Sequence, residues 1–165
     1  MAQTHHLPIA QEIMTTAVIT VRPELPVFDA MRILLRHRIS GAPVVEDEGA
    51  LVGMLSELDC LKVLANGEFY DDDHSEEGTV SDYMSLGARS VGLEVDVYSL
   101  SHYFLDHSVR RIPVLKDSQL VGLISRRDVM RAIEEMGRKR AQRKRYPDYR
   151  GPVEHSQSTA HLHNR

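Results

Sequence analysis

Apolar positions in this chain come in short blocks whose period alternates between that of a helix and that of a strand. Val27, Ala30, Met31, Leu34 and Leu35 fall at i, i+3, i+4, i+7 and i+8, which is one face of a helix. Pro26 stands just ahead, where a first-turn proline is tolerated. Before it, Val18-Ile19-Thr20-Val21 reads as a short extended run. After it, Ala42-Pro43-Val44-Val45 and Leu51-Val52-Gly53-Met54-Leu55 flank the polar stretch Glu46-Asp47-Glu48-Gly49, the pattern of a hairpin. A further helix starts at Ser56 and carries Leu61, Val63 and Leu64.

The whole pattern returns 70 residues later. Met14 aligns with Met84, Val21 with Val91, Glu24 with Glu94 and Val27 with Val97. Leu35 aligns with Leu105, His37 with His107, Pro43-Val44 with Pro113-Val114, and Asp47 with Asp117. One residue is then lost in the turn, where a deletion is tolerated. The offset becomes 69, and Leu51-Val52-Gly53, Ser56 and Asp59 match Leu120-Val121-Gly122, Ser125 and Asp128. In the second copy Val97, Leu100, Tyr103, Phe104 and Leu105 form the helical face, and Val129, Met130 and Ile133 follow Ser125.

The chain is thus a βαββα unit written twice, an α+β fold. One copy has too few elements to bury both faces of its sheet, so the copies are expected to pack together about a pseudo-twofold axis with two equivalent clefts. The expected boundaries are 9–66 for the first repeat, 67–79 for an acidic linker, 80–136 for the second repeat, and 137–165 for a tail. The tail is basic at first, then polar, with disorder expected over 146–165.

Composition adds few constraints. Trp is absent and aromatics are sparse, so the core is aliphatic. Cys60 is the one cysteine, which rules out an intramolecular disulfide and fits a cytoplasmic location. No run is apolar enough to span a bilayer and no apolar signal-peptide core is visible, so membrane attachment is not expected. The formal charge of −4 hides an asymmetry. Residues 138–150 hold seven Lys and Arg against Asp148, and the rest of the chain carries ten more acids than bases.

The strings Ile39-Ser40-Gly41-Ala42-Pro43-Val44-Val45 and Leu51-Val52-Gly53-Met54-Leu55-Ser56-x-x-Asp59 resemble the CBS (cystathionine-β-synthase) domain. So do their second-copy counterparts Val109-Arg110-Arg111-Ile112-Pro113-Val114-Leu115 and Leu120-Val121-Gly122-Leu123-Ile124-Ser125-x-x-Asp128. The resemblance covers about residues 9–136 and implies a tandem pair, or Bateman module. Such pairs bind adenine nucleotides or related adenosyl ligands between the copies and often dimerise into a disc. By the resemblance, Asp59 and Asp128 hold ribose and Ser56 and Ser125 lie near phosphate. Ala42-Pro43 and Arg111-Ile112-Pro113 would line the base pockets.

The chemistry suits these residues. A carboxylate clamps a vicinal diol, and a Ser at a helix start sits beside free N–H groups that favour phosphate. Ser-x-x-acid is also a helix capping box, which binds nothing. That box prefers the longer Glu or Gln, and both copies use Asp, which tilts the reading toward a ligand. The copies differ in charge. Arg126 and Arg127 flank the second motif, with Arg110 and Arg111 adding to the field, whereas Glu57 in the first would repel phosphate. The second motif is therefore expected to take the phosphorylated ligand, and the first to be weaker, empty or selective for a less charged molecule.

Other features have plainer readings. Cys60 lacks a partner in any known nucleophile pattern and is expected to pack. Asp71-Asp72-Asp73-His74 lacks metal-loop spacing and is expected to stay solvated. His37 and His107 are expected to serve helix ends. No P-loop, Gly-x-Gly-x-x-Gly or Gly-x-Ser-x-Gly motif occurs, so no enzymatic activity is expected and no cofactor is required. The basic stretch 138–145 reads as a solubilising helix extension that also pairs with the acidic body, with nucleic acid, an acidic membrane or an acidic partner as the alternatives. The leading expectation is a homodimeric sensor of AMP, ADP or ATP, with S-adenosylmethionine or NAD as further candidates, that signals to an effector protein. The competing one is a ligand-free adaptor.

Overall fold

A computed structural model describes residues 6–65 and 78–145. Most of the expected acidic linker, including Asp71-Asp72-Asp73-His74, and the tail 146–165 lie outside the described residues.

The first half contains α1 (Ala10–Ile13), α2 (Val27–His37), β1 (Gly41–Val45), β2 (Leu51–Ser56) and α3 (Glu57–Ala65). The second contains α4 (Val80–Tyr83), β3 (Ser85–Leu86), β4 (Val91–Gly92), α5 (Val97–Asp106), β5 (Arg111–Lys116), β6 (Gln119–Ser125) and α6 (Arg126–Arg145). Each half is built on the predicted hairpin, β1 with β2 and β5 with β6, both antiparallel. The β5–β6 turn is Asp117-Ser118, both at positive φ, the two-residue turn that matches strand twist. The longer first turn passes through a 3-10 segment at Asp47–Gly49, and this is where the repeat offset changes.

The extended run before α2 is shorter than its sequence suggests. Only Val21 pairs, parallel to Val44, and the equivalent β4 is two residues long and parallel to β5. The helical face is also narrower. Val27, Ala30 and Leu34 are buried, but Leu35 is 77% exposed and its counterpart Leu105 80%. Leu34, one residue earlier in the same turn, is 4% exposed, so Leu35 is turned about 100° off the buried side of α2.

The halves are interlocked. Ala10 of α1 belongs to the core around Leu100, Ile112 and Ile124, while Val80 and Tyr83 of α4 belong to the core around Leu34, Val44 and Leu55. The hydrogen bonds repeat with the sequence. Ala10 N–H donates to the Val95 carbonyl at 2.8 Å, and Val80 N–H to the Leu25 carbonyl at 2.9 Å. Thr15 pairs with Leu123 of β6, just as Ser85 of β3 pairs with Met54 of β2. Each repeat therefore lends its opening segment, residues 10–15 or 80–86, to the other half. Burial of side chains such as Leu55, Leu100, Ile112 and Ile124 contributes about 1.5–3 kcal/mol apiece.

The exchange explains Gly53 and Gly122, which read in the sequence as strand punctuation. A Cβ on Gly122 would meet the Met14 side chain, with Cγ at 2.9 Å, and one on Gly53 would meet Met84 Sδ at 2.9 Å. The two methionines that open the alignment thus pass over the two glycines near its end.

Candidate functional site

Each Ser-x-x-Asp motif sits where the last hairpin strand turns directly into a helix. Ser56 N–H and Oγ–H both donate to Asp59 Oδ2, at 2.9 and 2.6 Å, and Asp59 N–H donates back to Ser56 Oγ at 3.2 Å. The second motif repeats this, with Ser125 donating to Asp128 Oδ2 at 2.8 and 2.6 Å and the return bond at 3.3 Å. These are reciprocal capping boxes. The preference of that box for Glu or Gln tilted the sequence reading away from capping, yet Asp closes it here, as Asp82 also does on the N–H and hydroxyl of Thr79 at 2.7 and 2.9 Å ahead of α4.

The capping role uses one carboxylate oxygen and leaves Oδ1, where the motifs part. Asp59 is buried, its Oδ1 accepts from Lys62 Nζ at 2.6 Å, and Ser85 Oγ stands at 3.5 Å. Burial pushes its carboxyl up, but the Lys62 ammonium and the Ser56 donors outweigh that and hold it below the usual value. Asp128 is more open, and its Oδ1 has Arg131 at a loose 3.4 Å.

Asp128 also faces a cleft of about 240 Å³ between the halves. Ser125, Asp128, Arg111 and Leu123 line it from the second half, and Thr15, Ala17, Val18, Ile19, Ile39 and Gly41 from the first. One wall is apolar and the opposite edge carries a hydroxyl, a carboxylate and a guanidinium. Arg111 crosses the cleft, its Nη1 donating to the Gly41 carbonyl at 2.7 Å.

Four expected lining residues are not in this wall. Ala42, Pro43, Ile112 and Pro113 are fully enclosed in the core and have no surface to offer a ligand. Of the expected lining, Arg111 is in the wall, and Gly41, one residue before Ala42, takes the equivalent place in the first repeat. Arg110 is not in the wall and stands 3.9 Å from Glu57 of the first motif. Arg126 Nε donates to the Val109 carbonyl at 3.0 Å, and Arg127 is exposed at the helix mouth. Sequence reasoning missed Thr15, Ala17, Val18, Ile19 and Ile39, because nothing local says that one copy's opening segment serves the other. It also passed over Lys62 and Arg131, although both are basic at the same repeat position.

A second, wider depression of about 770 Å³ lies away from both motifs, among Glu24, Glu46, Asp47, Glu48 and Thr79. Its one base, Arg22, is paired with Asp47 and Glu24, so its acidic wall repels anions. Among the described residues no group of three or more His, Cys, Asp or Glu is placed to hold a metal ion. Nor is any helix long and apolar enough to cross a membrane.

Two interlocked α+β repeats with a Ser/Asp-edged cleft between them define a class of protein, the paired-repeat regulatory ligand-binding module. The family profile of the CBS domain matches residues 10–66 and 80–135, and the chain belongs to the CBS domain family. It is 30% identical over 132 residues to the CBS domain-containing protein YhcV of Bacillus subtilis (strain 168), covering 79% of this chain and 88% of that one. Among solved structures it is similar to CBSX2 of Arabidopsis thaliana in complex with AMP, with TM-score 0.69 and 26% identity over 78% of this chain and 98% of that one. The CBS pair of protein MJ0100, in complex with 5-methylthioadenosine and S-adenosyl-L-methionine, shares the fold with TM-score 0.67 and 21% identity. It covers 79% of this chain and 99% of that one.

Proposed function

We propose that this chain senses an adenine nucleotide in the cleft edged by Ser125 and Asp128 and passes that occupancy to a partner protein, catalysing no reaction itself. The observation that carries the reading is the asymmetry at Oδ1. Lys62 occupies that oxygen of Asp59, whereas that of Asp128 is nearly free beside an apolar wall. The ribose hydroxyls donate to Asp128, and the base lies against Val18, Ile19 and Ile39. Arg111, Ser125 and the rim residues Arg126 and Arg127 face the phosphate. The cleft is slightly smaller than the roughly 300–1,000 Å³ usual for ligand sites, which suits a nucleoside whose phosphates reach outward, the class that AMP, ADP and ATP share. The AMP complex of CBSX2 supports the same ligand class. The first motif, Ser56 and Asp59, is the weaker site.

Two chains pair into a homodimer in this reading. Leu35 and Leu105 are exposed at equivalent positions, as are Leu61 (65%) and Met130 (66%). An apolar pattern repeated on both halves is the self-complementary surface that a twofold interface needs.

A thermal-shift panel of AMP, ADP, ATP, NAD and S-adenosylmethionine tests the sensor reading. AMP at 100 times its Kd is expected to add about 2.7 kcal/mol of stability. A flat panel would instead support the ligand-free adaptor.

A further inference from the structure

Helix α6 outlasts the fold it belongs to. Its first three turns pack Val129, Ala132 and Met136 into the second core. From Gly137 through Gln142 every residue is exposed, yet the helix runs on to Arg145. That leaves roughly 13 Å of helix beyond the last core contact, at 1.5 Å per residue.

Of the eight residues 138–145, six are Lys or Arg and none is acidic. Among the described residues the expected pairing with the acidic body is limited to the pull of Lys139 on Glu12 of α1. Lys139 bonds Glu135 within α6 at 2.7 Å, and Arg138 and Arg140 make no ion pair among the described residues. At about 100° per residue, sequence positions 138, 139, 140, 143, 144 and 145 of a helix are distributed all round its axis. Ala141 is the lone apolar residue, so no apolar stripe accompanies them. A helix that inserts into a membrane surface needs such a stripe, and so does one that docks in a protein groove.

A helix cationic on every side fits a partner that surrounds it with anions. The major groove of B-form DNA is about 12 Å wide, admits a helix of about 10–12 Å, and has phosphates on both walls. The A-form RNA groove is too narrow. The net acid of the rest of the chain keeps other surfaces away from phosphate and directs this end toward it.

We propose that the basic end of α6, residues 138–145, binds duplex DNA without sequence preference through the phosphates flanking the major groove. The contact is separate from the nucleotide cleft and does not rest on it. The test is fluorescence anisotropy of a labelled 20-bp duplex with the full chain. Its comparison is a variant carrying Arg138→Gln, Arg140→Gln, Arg143→Gln and Lys144→Gln, since Gln nearly matches Arg and Lys in helix propensity. The full chain is expected to bind at 50 mM NaCl and to weaken steeply with salt, by roughly 0.9 log units per log unit of salt for each phosphate contacted. The variant is expected to bind at least about tenfold more weakly with a flatter slope. Absence of binding at low salt, equal affinity of the variant, or equal binding of an RNA duplex or phosphatidylserine vesicles overturns the proposal. If the variant fails to fold by circular dichroism, the salt slope of the unaltered chain decides, and a slope shallower than about 2 overturns it.

Discussion

Arg111 Nη1 donates to the carbonyl of Gly41 at 2.7 Å, and the two residues occupy the same position in the two repeats. Equivalent positions can touch only beside the pseudo-twofold axis, so this bond ties the halves together at their centre. The contact is asymmetric by necessity. A Cβ on Gly41 would fall 2.7 Å from the Leu55 carbonyl, so only one of the two positions carries a side chain here. The arginine that results lies in the wall of the cleft that holds Asp128. Divergence at one repeat position thus made one cleft cationic.

Arg111→Met removes both the bridge and the charge. Loss of a hydrogen bond from a charged donor is expected to cost about 1.5–3 kcal/mol in urea denaturation. In calorimetry AMP affinity is expected to fall while adenosine binding changes little, since adenosine presents no phosphate. Equal losses for the two ligands would remove Arg111 from the phosphate site.

The two aspartates separate ligand binding from stability. Asp128→Ala is expected to abolish AMP binding at modest cost in stability. Asp59→Ala is expected to leave AMP binding nearly intact and to lower stability by about 1–3 kcal/mol, since it removes one partner of a buried charged contact. Calorimetry and chemical denaturation on each variant check both halves of the statement. Equal loss of binding from both substitutions would count against the asymmetry.

Asp59 also sets a pH dependence. Its carboxyl is held below the ordinary value when folded, despite burial pushing it up, because Lys62 and Ser56 favour the charged form. The unfolded chain then takes up its proton first as acid is added. The stabilisation is complete above the unfolded value, about 3.9, and is lost as pH falls through the lower folded one. Thermal melts across pH 2–7 are expected to show a shallower acid limb in Asp59→Asn. An unchanged limb would show that other carboxylates carry it.

Much of this was legible in the sequence, because hairpins, helix faces and Ser-x-x-Asp motifs are local patterns that occur twice. Burial was legible only in part. Leu35 continues the apolar period of α2 yet is solvent-facing while Leu34 is buried, since an apolar stripe shows which side of a helix packs and not how wide the buried face is. The exchange of α1 and α4 was hidden because helix and strand periods look the same whichever half they join. Hence the cleft wall at residues 15–19 went unassigned, while the buried prolines were credited with it. The capping role of the two motifs was underrated because side-chain length was weighed without the backbone turn beneath it.

Exposed apolar residues on both halves carry a prediction for assembly. Leu61→Glu together with Met130→Glu is expected to convert a dimer to a monomer in sedimentation velocity. The far-ultraviolet dichroism is expected to stay unchanged, because both side chains are solvent-facing within the chain. A chain already monomeric at micromolar concentration would end this reading.

The exchanged segments can be tested at the glycines beneath them, because the two sites differ in what resists a side chain. At Gly122 every close neighbour of an added Cβ belongs to the Met14 side chain, whereas at Gly53 the nearest atom, at 2.8 Å, is the Ser85 backbone carbonyl. Gly122→Ala alone is expected to cost about 1–3 kcal/mol by overpacking, and adding Met14→Ala is expected to recover part of that loss by making room. Gly53→Ala is expected to cost as much or more, and Met84→Ala is expected to recover none of it, since a backbone carbonyl paired into β2 cannot withdraw. Urea denaturation of the four single and two double variants yields the coupling energies directly. Coupling for Met14 with Gly122 would establish that the first repeat's opening segment crosses onto the second's sheet, and a large cost of Gly53→Ala that Met84→Ala leaves in place would put the Ser85 backbone over Gly53. Zero coupling for Met14 with Gly122 would mean that the first segment lies elsewhere, and the cleft built from residues 15–19 would go with it.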